Sequence, residues 1–275
     1  MRKRVYIALA ILLVILAGVM AWLGLRQREP VYQGKRLSVW LEVLNREWKP
    51  SHPDDRLAQA IRHIGTNALP VLIERLHGQD TELKRLLVAW ADKHECFRFR
   101  FKSAEERRIE AIGGYQALGP LARGQVPRLS DMLDHDPFLN ARHAAARVLG
   151  FIGPDARMAA PALLRATKDK DSGVRTCAFF ALGRIQPDTE ITIPVLVAGL
   201  DDPYPGAQWQ AAIALRQYGP EARAAVPALL RTLAAYNARA LPPAADLPRH
   251  DPLNDAFRSA LKAIDPEAAA KAGVK

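Results

Sequence analysis

The sequence has few of the residues on which most catalytic and metal-binding sites depend. It contains two cysteines among 275 residues, Cys96 and Cys177, and their separation fits neither a paired-cysteine metal site nor a disulfide framework. It has no glycine-rich phosphate loop, no nucleophile elbow and no zinc-binding histidine pair. His94, His135 and His250 each precede an acidic residue, but no further ligand lies nearby in the sequence. We therefore expect no catalytic residue, no cofactor and no metal.

Aromatic residues are also scarce, and most of the apolar content comes from small or unbranched side chains. Only 7% of the residues are aromatic, and the abundance of alanine and leucine favours closely packed helices. The chain has 39 basic and 29 acidic residues, but five of the basic ones and no acid lie within residues 1–28. The other 247 residues thus carry 34 basic against 29 acidic side chains, a net charge of only +5. This small excess disfavours nucleic acid as a partner.

One long hydrophobic run lies near the N-terminus. Residues 5–25 contain no charge and no proline. As a helix they would extend about 31 Å, which matches the hydrocarbon core of a bilayer. The basic residues in 1–4 favour a cytoplasmic N-terminus. The run therefore predicts a signal anchor in a single-pass protein of a bacterial inner membrane, with its bulk in the periplasm. A cleaved signal peptide is the alternative.

The strongest pattern in the sequence is an internal repeat. Two prolines lie seven residues apart in each of four segments, which follow one another at spacings of 34, 33 and 33 residues. The pairs are Pro120 and Pro127, Pro154 and Pro161, Pro187 and Pro194, and Pro220 and Pro227. In each unit, apolar residues lie eight, four and one positions before the residue that precedes the first proline. These spacings place them on one face of a helix. The glycine that usually precedes this proline suits a helix C-terminus. A second apolar helix follows, so each unit is helix–turn–helix.

Two weaker units extend the array at its ends. The same apolar positions recur at Leu57, Ile61 and Ile64, and again at Phe257, Leu261 and Ile264. We therefore divide the chain after the predicted span into a juxtamembrane linker with a lead-in helix over 26–54 and a solenoid over 55–275. An irregular insertion at 81–103 and a proline-rich loop at 237–254 interrupt the solenoid.

The repeated pattern resembles the HEAT repeat, particularly the short bacterial HEAT-like subtype of the phycobilin lyase type. It is carried by residues 111–133, 145–167, 178–200 and 211–233. The segment that begins at Tyr32 resembles the lead-in helix of anchored bacterial HEAT proteins. The resemblance implies an all-α fold, an α-α superhelix that binds other proteins, and it implies no shared catalytic residue.

The insertion contains one candidate contact site. Phenylalanines and cations alternate over residues 97–102, so an extended segment would place Arg98, Arg100 and Lys102 on one side. These cations could contact an acidic partner, a phosphate or a lipid headgroup. The alternative is a connector whose phenylalanines pack under the solenoid while the cations remain solvated.

A second candidate contact lies at Tyr204 and Trp209, at and after an inter-repeat turn. Such turns line one edge of a solenoid and can recognise ligands. Taken together, the features favour a membrane-anchored scaffold that binds a protein of unknown identity and performs no catalysis. Two alternatives stay open: an enzyme, lyase or chaperone-type subunit built on HEAT-like repeats, or a peripheral binder of anionic lipid through residues 97–102.

Overall fold

The fold is a stack of short helices. The computed structural model describes residues 29–47, 56–82, 86, 102–239 and 251–274. A hairpin of β1 (Val31–Tyr32) and β2 (Lys35–Arg36) comes first. The helices that follow are α1 (Leu37–Glu47), α2 (Arg56–Ile64), α3 (Leu69–His77), α4 (Ala104–Leu118), α5 (Val126–His135), α6 (Leu139–Ile152), α7 (Ala160–Ala166), α8 (Ser172–Ile185), α9 (Thr189–Gly199), α10 (Pro205–Tyr218), α11 (Val226–Arg239), α12 (Pro252–Ile264) and α13 (Pro266–Lys271). Short 3-10 turns join four helix pairs at Gly65–Ala68, Gly119–Gln125, Gly153–Ala159 and Gly219–Ala225.

The helices form two layers. We call α2, α4, α6, α8, α10 and α12 the first helices, and α3, α5, α7, α9, α11 and α13 the second helices. Each first helix packs on the next first helix and on the second helix of the preceding unit. Among the described second helices, only α5 and α7 pack on each other to a comparable extent. The first helices therefore form the closer-packed layer of a helical-repeat solenoid.

The apolar positions predicted from the repeat form the core of the described solenoid. The four leucines of the second helices, Leu129, Leu163, Leu196 and Leu229, are all 0% exposed. The alanines eight positions before each cap are also fully buried: Ala111, Ala145, Ala178 and Ala211. Both sets belong to one continuous apolar cluster. This confirms the repeat solenoid, because a helix pair of this kind buries its apolar face only by stacking on neighbours.

All the first helices except α12 end at a residue with positive φ. Gly119, Gly153 and Gly219 have φ of 53°, 74° and 57° with ψ between −126° and −144°, a conformation open essentially to glycine alone. Each of them leads into a 3-10 turn. Gln186 instead adopts the ordinary left-handed conformation, and α9 then begins at Thr189 without such a turn. The residue at the cap thus decides the geometry of the connection within each unit.

We expect Gly153→Ala to lower the free energy of unfolding by about 1–2 kcal/mol. A Cβ at Gly153 would meet no atom within 4 Å, so the loss would come from the backbone alone. Gly124→Ala is the matched control, because its Cβ also meets no atom and its φ is ordinary. Urea unfolding should leave Gly124→Ala unchanged or slightly stabilised. Equal losses in the two variants would contradict this explanation.

The segment before α1 is a hairpin rather than part of a longer lead-in helix. Its two-residue turn has positive φ at Gln33 (47°) and Gly34 (72°), as a type I′ turn requires. The Tyr32 ring stacks on His63 at a centroid distance of 5.1 Å, and the indole N–H of Trp40 donates to the carbonyl of Tyr32 at 3.2 Å. These contacts attach the hairpin to α1 and α2.

The predicted membrane localisation is corrected by the helix lengths. None of the helices over the described residues is long and apolar enough to cross a membrane. The longest of them, α4, has 15 residues, whereas a membrane span needs about 20. The prediction of a single-pass membrane protein with a periplasmic bulk is contradicted by this finding and is not retained. Its proposed span, residues 5–25, and the stub 1–4 lie outside the described residues.

Candidate partner-binding groove

A groove of about 680 Å³ runs across the exposed side of the first helices. Side chains from α4, α6, α8 and α10 line it, and Leu44 and Asn45 of α1 close one end. The groove therefore crosses several repeats, and its chemistry is set by the residues that the core positions leave facing outward.

The groove positions follow a register of their own. Counted back from the cap residue, most of the lining side chains of α6 and α8 fall at positions −10, −6 and −2, four residues apart and offset from the core positions. In α6 these are His143, Arg147 and Phe151, and in α8 the first two are Thr176 and Phe180. A spacing of four residues keeps them on one face of each helix. The repeat thus builds a buried face and a groove face on the same helices.

An arginine and two phenylalanines form the centre of the groove. The Phe151 and Phe180 rings meet edge to face at a centroid distance of 5.5 Å and an interplanar angle of 74°. The guanidinium of Arg147 lies 5.8 Å from the centroid of Phe151, within the range of a cation–π contact. On the α4 side, Ile109 is 45% exposed and adds apolar surface. Partly exposed aromatic residues beside arginine are typical of the residues that dominate binding energy at protein interfaces.

Of the four helices that line the groove, three carry only positive charge, whereas α4 also carries Glu105, Glu106 and Glu110. Helices α6, α8 and α10 contain five arginines and one histidine, and no aspartate or glutamate. Arg142 and Arg175 pair with acids at the inter-repeat turns, whereas Arg147 and Arg184 are exposed. The surface available to a ligand on these helices is therefore positive.

His143 adds little charge at neutral pH. Burial, followed by the nearby positive charge of Arg147, lowers the pKa of the His143 imidazole, although Asp171 and Glu105 partly oppose that shift. A neutral imidazole can both donate and accept a hydrogen bond. Its place beside Arg147 gives the groove a polar group next to its apolar centre.

Two buried groups complete the lining. Gln210 is only 6% exposed, and its side chain lines the groove. Burial raises the pKa of the Cys177 thiol to about 11, so it is protonated at neutral pH and a poor nucleophile. The groove thus offers an amide for hydrogen bonding, and its thiol is not activated.

A ladder of hydrogen bonds joins the repeats at the inter-repeat turns. In three turns the Oδ1 of an aspartate accepts the N–H two residues later at 2.8–2.9 Å: Asp136 from Phe138, Asp169 from Asp171, and Asp202 from Tyr204. The carbonyl of the same aspartate accepts from the next first helix: from Arg142 at 3.1 Å, from Arg175 at 3.0 Å and from Gln208 at 2.6 Å. Each turn is therefore fixed locally and to the following helix.

The arginines of this ladder also reach forward to the next turn. Arg142 contacts the carboxylate of Asp169 at 3.2 Å, and Arg175 donates twice to Asp202, at 2.7 and 2.8 Å. Burial alone would raise the pKa of Asp202, but hydrogen bonds from Arg175 and the N–H of Tyr204, with the charge of Arg175, hold it below its usual value. Arg175 thus connects three successive helix pairs.

Lys102 lies within a network of ion pairs. Its Nζ donates to Glu42 at 2.8 Å and to Glu110 at 2.6 Å. Glu110 also accepts from Arg75 at 3.0 Å, and Arg75 pairs with Glu29 at 3.1 Å. Burial would lower the pKa of Lys102, but its hydrogen bonds to the two glutamates raise it overall. Its charge holds α1 against α4, and a contact of Lys102 with a partner stays a prediction.

The other predicted contact residues lie in different places. Arg98 and Arg100 fall outside the described residues, so the proposed basic ridge stays a prediction. Tyr204 is the N-cap of α10, 47% exposed, with its ring against Gly206. Trp209 is 39% exposed and occupies position −10 of α10, the register position that His143 has in α6. Trp209 therefore extends the groove register, whereas Tyr204 belongs to the turn.

Two sets of residues, those of the candidate groove and those of the ladder, were not predicted from the sequence. The groove residues Arg147, Phe151 and Phe180 could have been found, because large side chains recur at positions that the core does not use. The ladder aspartates follow the same 33-residue spacing as the repeat prolines, at positions 136, 169 and 202. Both patterns can therefore be found by aligning the repeats with one another.

Comparison with protein families supports the repeat assignment. The family model for HEAT repeats matches residues 126–216, from the start of α5 to near the end of α10. No curated protein matches the chain by sequence. The match covers the groove helices α6, α8 and most of α10, together with the whole ladder.

Several solved structures of repeat proteins are similar to the chain at low identity. An engineered protein is 20% identical with a TM-score of 0.41, covering 86% of this chain and 97% of that one. A designed armadillo repeat protein in complex with the peptide (KR)4 is 17% identical with a TM-score of 0.41, covering 84% and 100%. The complex of CpcE and CpcF of phycocyanin lyase from Nostoc sp. PCC7120 gives 21%, a TM-score of 0.39, and 90% and 96%. The fold assignment rests on the observed helices and the HEAT match.

Proposed function

We propose that this HEAT-type solenoid is a non-catalytic scaffold that binds a partner protein in the groove of its first helices. The observation that carries the proposal is the continuity of the groove across α4, α6, α8 and α10, with Arg147, Phe151 and Phe180 at its centre. A surface that spans several repeats suits an extended protein segment better than a small molecule.

The chemistry of the groove supports binding rather than turnover. The thiol of Cys177 has a raised pKa, and α6, α8 and α10 supply no carboxylate to act together with His143, the one imidazole among the described residues that line the groove. The apolar centre with a polar surround is the usual composition of a protein interface. A scaffold function requires only such binding groups, and the described helices supply them.

Position-specific photo-cross-linking in cells that produce the protein tests the proposal. A photoreactive phenylalanine analogue at Ile112 or Phe180 should give one discrete adduct with another protein. The same analogue at Arg128 or Lys168, which are exposed outside the groove, should not give that adduct. Identical adducts from all four positions, or none from the groove positions, would count against binding in the groove.

A variant of the groove provides the second arm of this test. We expect Phe180→Arg in the full chain to remove the adduct formed at Ile112, because it places a charge in the apolar centre of the groove. The melting temperature should be compared with that of the unmodified protein, since Phe180 also packs near Gly150. Persistence of the adduct in a folded Phe180→Arg protein would place the partner elsewhere.

A further inference from the structure

We infer that the groove binds a segment that is both acidic and apolar, in which carboxylates face Arg147 and Arg184 and apolar side chains cover the Phe151–Phe180 pair. The inference rests on the proposed function and specifies the chemistry of the partner. It follows from the distribution of charge, from the exposed apolar surface and from the dimensions of the groove.

The charge argument rests on the absence of acids from three of the four groove helices, α6, α8 and α10; on the fourth, α4, the exposed Glu105 pairs with Arg108. Arg147 lines the groove on α6 and Arg184 is exposed at position −2 of α8, and these helices, with α10, hold no aspartate or glutamate that could neutralise them. The two acids that influence His143, Asp171 and Glu105, come from the turn before α8 and from the first turn of α4. A basic segment would meet like charges along the groove, whereas an acidic one would be attracted and oriented.

The apolar argument is that several hydrophobic side chains in and beside the groove remain partly exposed to solvent. Phe151 and Phe180 are only half-buried although they pack on each other, and Ile109 and Trp209 take position −10 at either side of them with 45% and 39% exposure. Covering these side chains with apolar residues would remove their surface from water. A purely acidic ligand would leave it exposed, so both properties are needed in one segment.

The dimensions fix the length of that segment. Crossing from α4 to α10 spans three interhelical distances of about 8–10 Å each, or about 24–30 Å. An extended chain covers this in about eight residues. At the α10 end the side-chain amide of Gln210 lines the groove and could bond to the ligand backbone. The basic segment 97–102 of this chain has the wrong sign of charge to occupy the groove.

Fluorescence anisotropy with the full chain and three synthetic peptides tests the inference. The first peptide alternates Glu with Leu and Phe, the second has Lys in place of Glu, and the third has Ser in place of Leu and Phe. We expect the first to bind at least about tenfold more tightly than either of the others, and its affinity to fall as salt is added. Equal binding of the Glu and Lys peptides would overturn the inference.

Charge-reversed variants locate the binding. Arg147→Glu with Arg184→Glu should weaken binding of the first peptide at least about tenfold. Arg128→Glu with Arg231→Glu, an equal change of charge on the second helices α5 and α11, should leave it within about twofold. Equal weakening by the two double variants would overturn the placement in the groove.

The failure of the inference can be distinguished from the failure of the proposed function. If groove-specific photo-adducts form but peptides show no preference for acid, the groove binds a partner of other chemistry and this inference alone is wrong. If no groove adduct forms and the chain instead self-associates through the groove, both are wrong. Sedimentation of the chain without peptide measures that self-association.

Discussion

Replacing Arg175 with methionine is expected to lower the free energy of unfolding by about 3 kcal/mol. The guanidinium makes two hydrogen bonds to Asp202 and also donates to the carbonyl of Asp169. Asp202 is 9% exposed, so removing its partner leaves a carboxylate charge that water reaches poorly. Methionine keeps most of the length and apolar packing of the side chain, which isolates the electrostatic loss. Urea unfolding measures the change.

Arg231→Met is the control for this prediction. Arg231 of α11 also reaches a neighbouring repeat by pairing with an aspartate, Asp201 in the turn after α9, but the two side chains are 66% and 64% exposed and 3.3 Å apart. An exposed pair of this kind contributes about 0–1 kcal/mol. Hydrogen exchange should place the loss in Arg175→Met at the turns on both sides of α8. A loss in Arg231→Met as large as that in Arg175→Met would show that burial is not what makes the ladder strong.

The ladder also predicts how the difference in stability between the unmodified protein and Arg175→Met depends on pH. The pKa of Asp202 in the folded protein is below its usual value of 3.8, so the pair contributes its full stability above that value. Because protonation of Asp202 ends the ion pair, this contribution is lost as the pH falls through the lower folded pKa. The stability advantage of the unmodified protein over Arg175→Met should therefore shrink below about pH 4.

The repeat itself could be predicted because its signals are local and redundant. A buried leucine, a fully buried alanine and a glycine–proline boundary return at one spacing, and each has the same physical meaning in every unit. The capping box of α4 is equally local: it lies within the four residues from Ser103 to Glu106, and both of its hydrogen bonds are present. Such features depend on residues that are close in sequence, so they can be predicted from a single sequence.

The groove and the ladder depend on neighbours in space. Arg175 reads as an ordinary surface arginine until α8 is stacked between two turns, where it meets Asp169 and Asp202. Phe180 reads as a core residue until the direction of α8 turns its ring toward Phe151. The hairpin was missed because Val31–Tyr32 and Lys35–Arg36 are too short for an alternating pattern, although Gln33-Gly34 suits a tight turn. The register predicts positions, and the stacking decides their roles.

The closest helix packing explains why the register contains a second glycine. Position −3 is Gly150 in α6 and Gly183 in α8, where each faces the next first helix. A Cβ on Gly183 would lie 2.8 Å from both the Cα and the Cβ of Ala214 in α10. We therefore expect Gly183→Ala to lower the free energy of unfolding by about 2–3 kcal/mol, because backbone atoms of α10 would have to move. Urea unfolding measures this loss.

Gly113→Ala should have the opposite effect, and the contrast tests the packing argument. Gly113 also lies inside a first helix, α4, but its Cβ would meet only the side chain of Leu44, at an ordinary 3.5 Å. Alanine should therefore stabilise the protein by about 0.5–1 kcal/mol through its higher helix propensity. Gly183→Ala gains the same helix propensity, so its expected net loss of stability requires a larger steric strain between α8 and α10. If both substitutions stabilised the protein, the first helices would be packed less closely than these glycines indicate. The groove on the exposed side of the first helices would then also be wider.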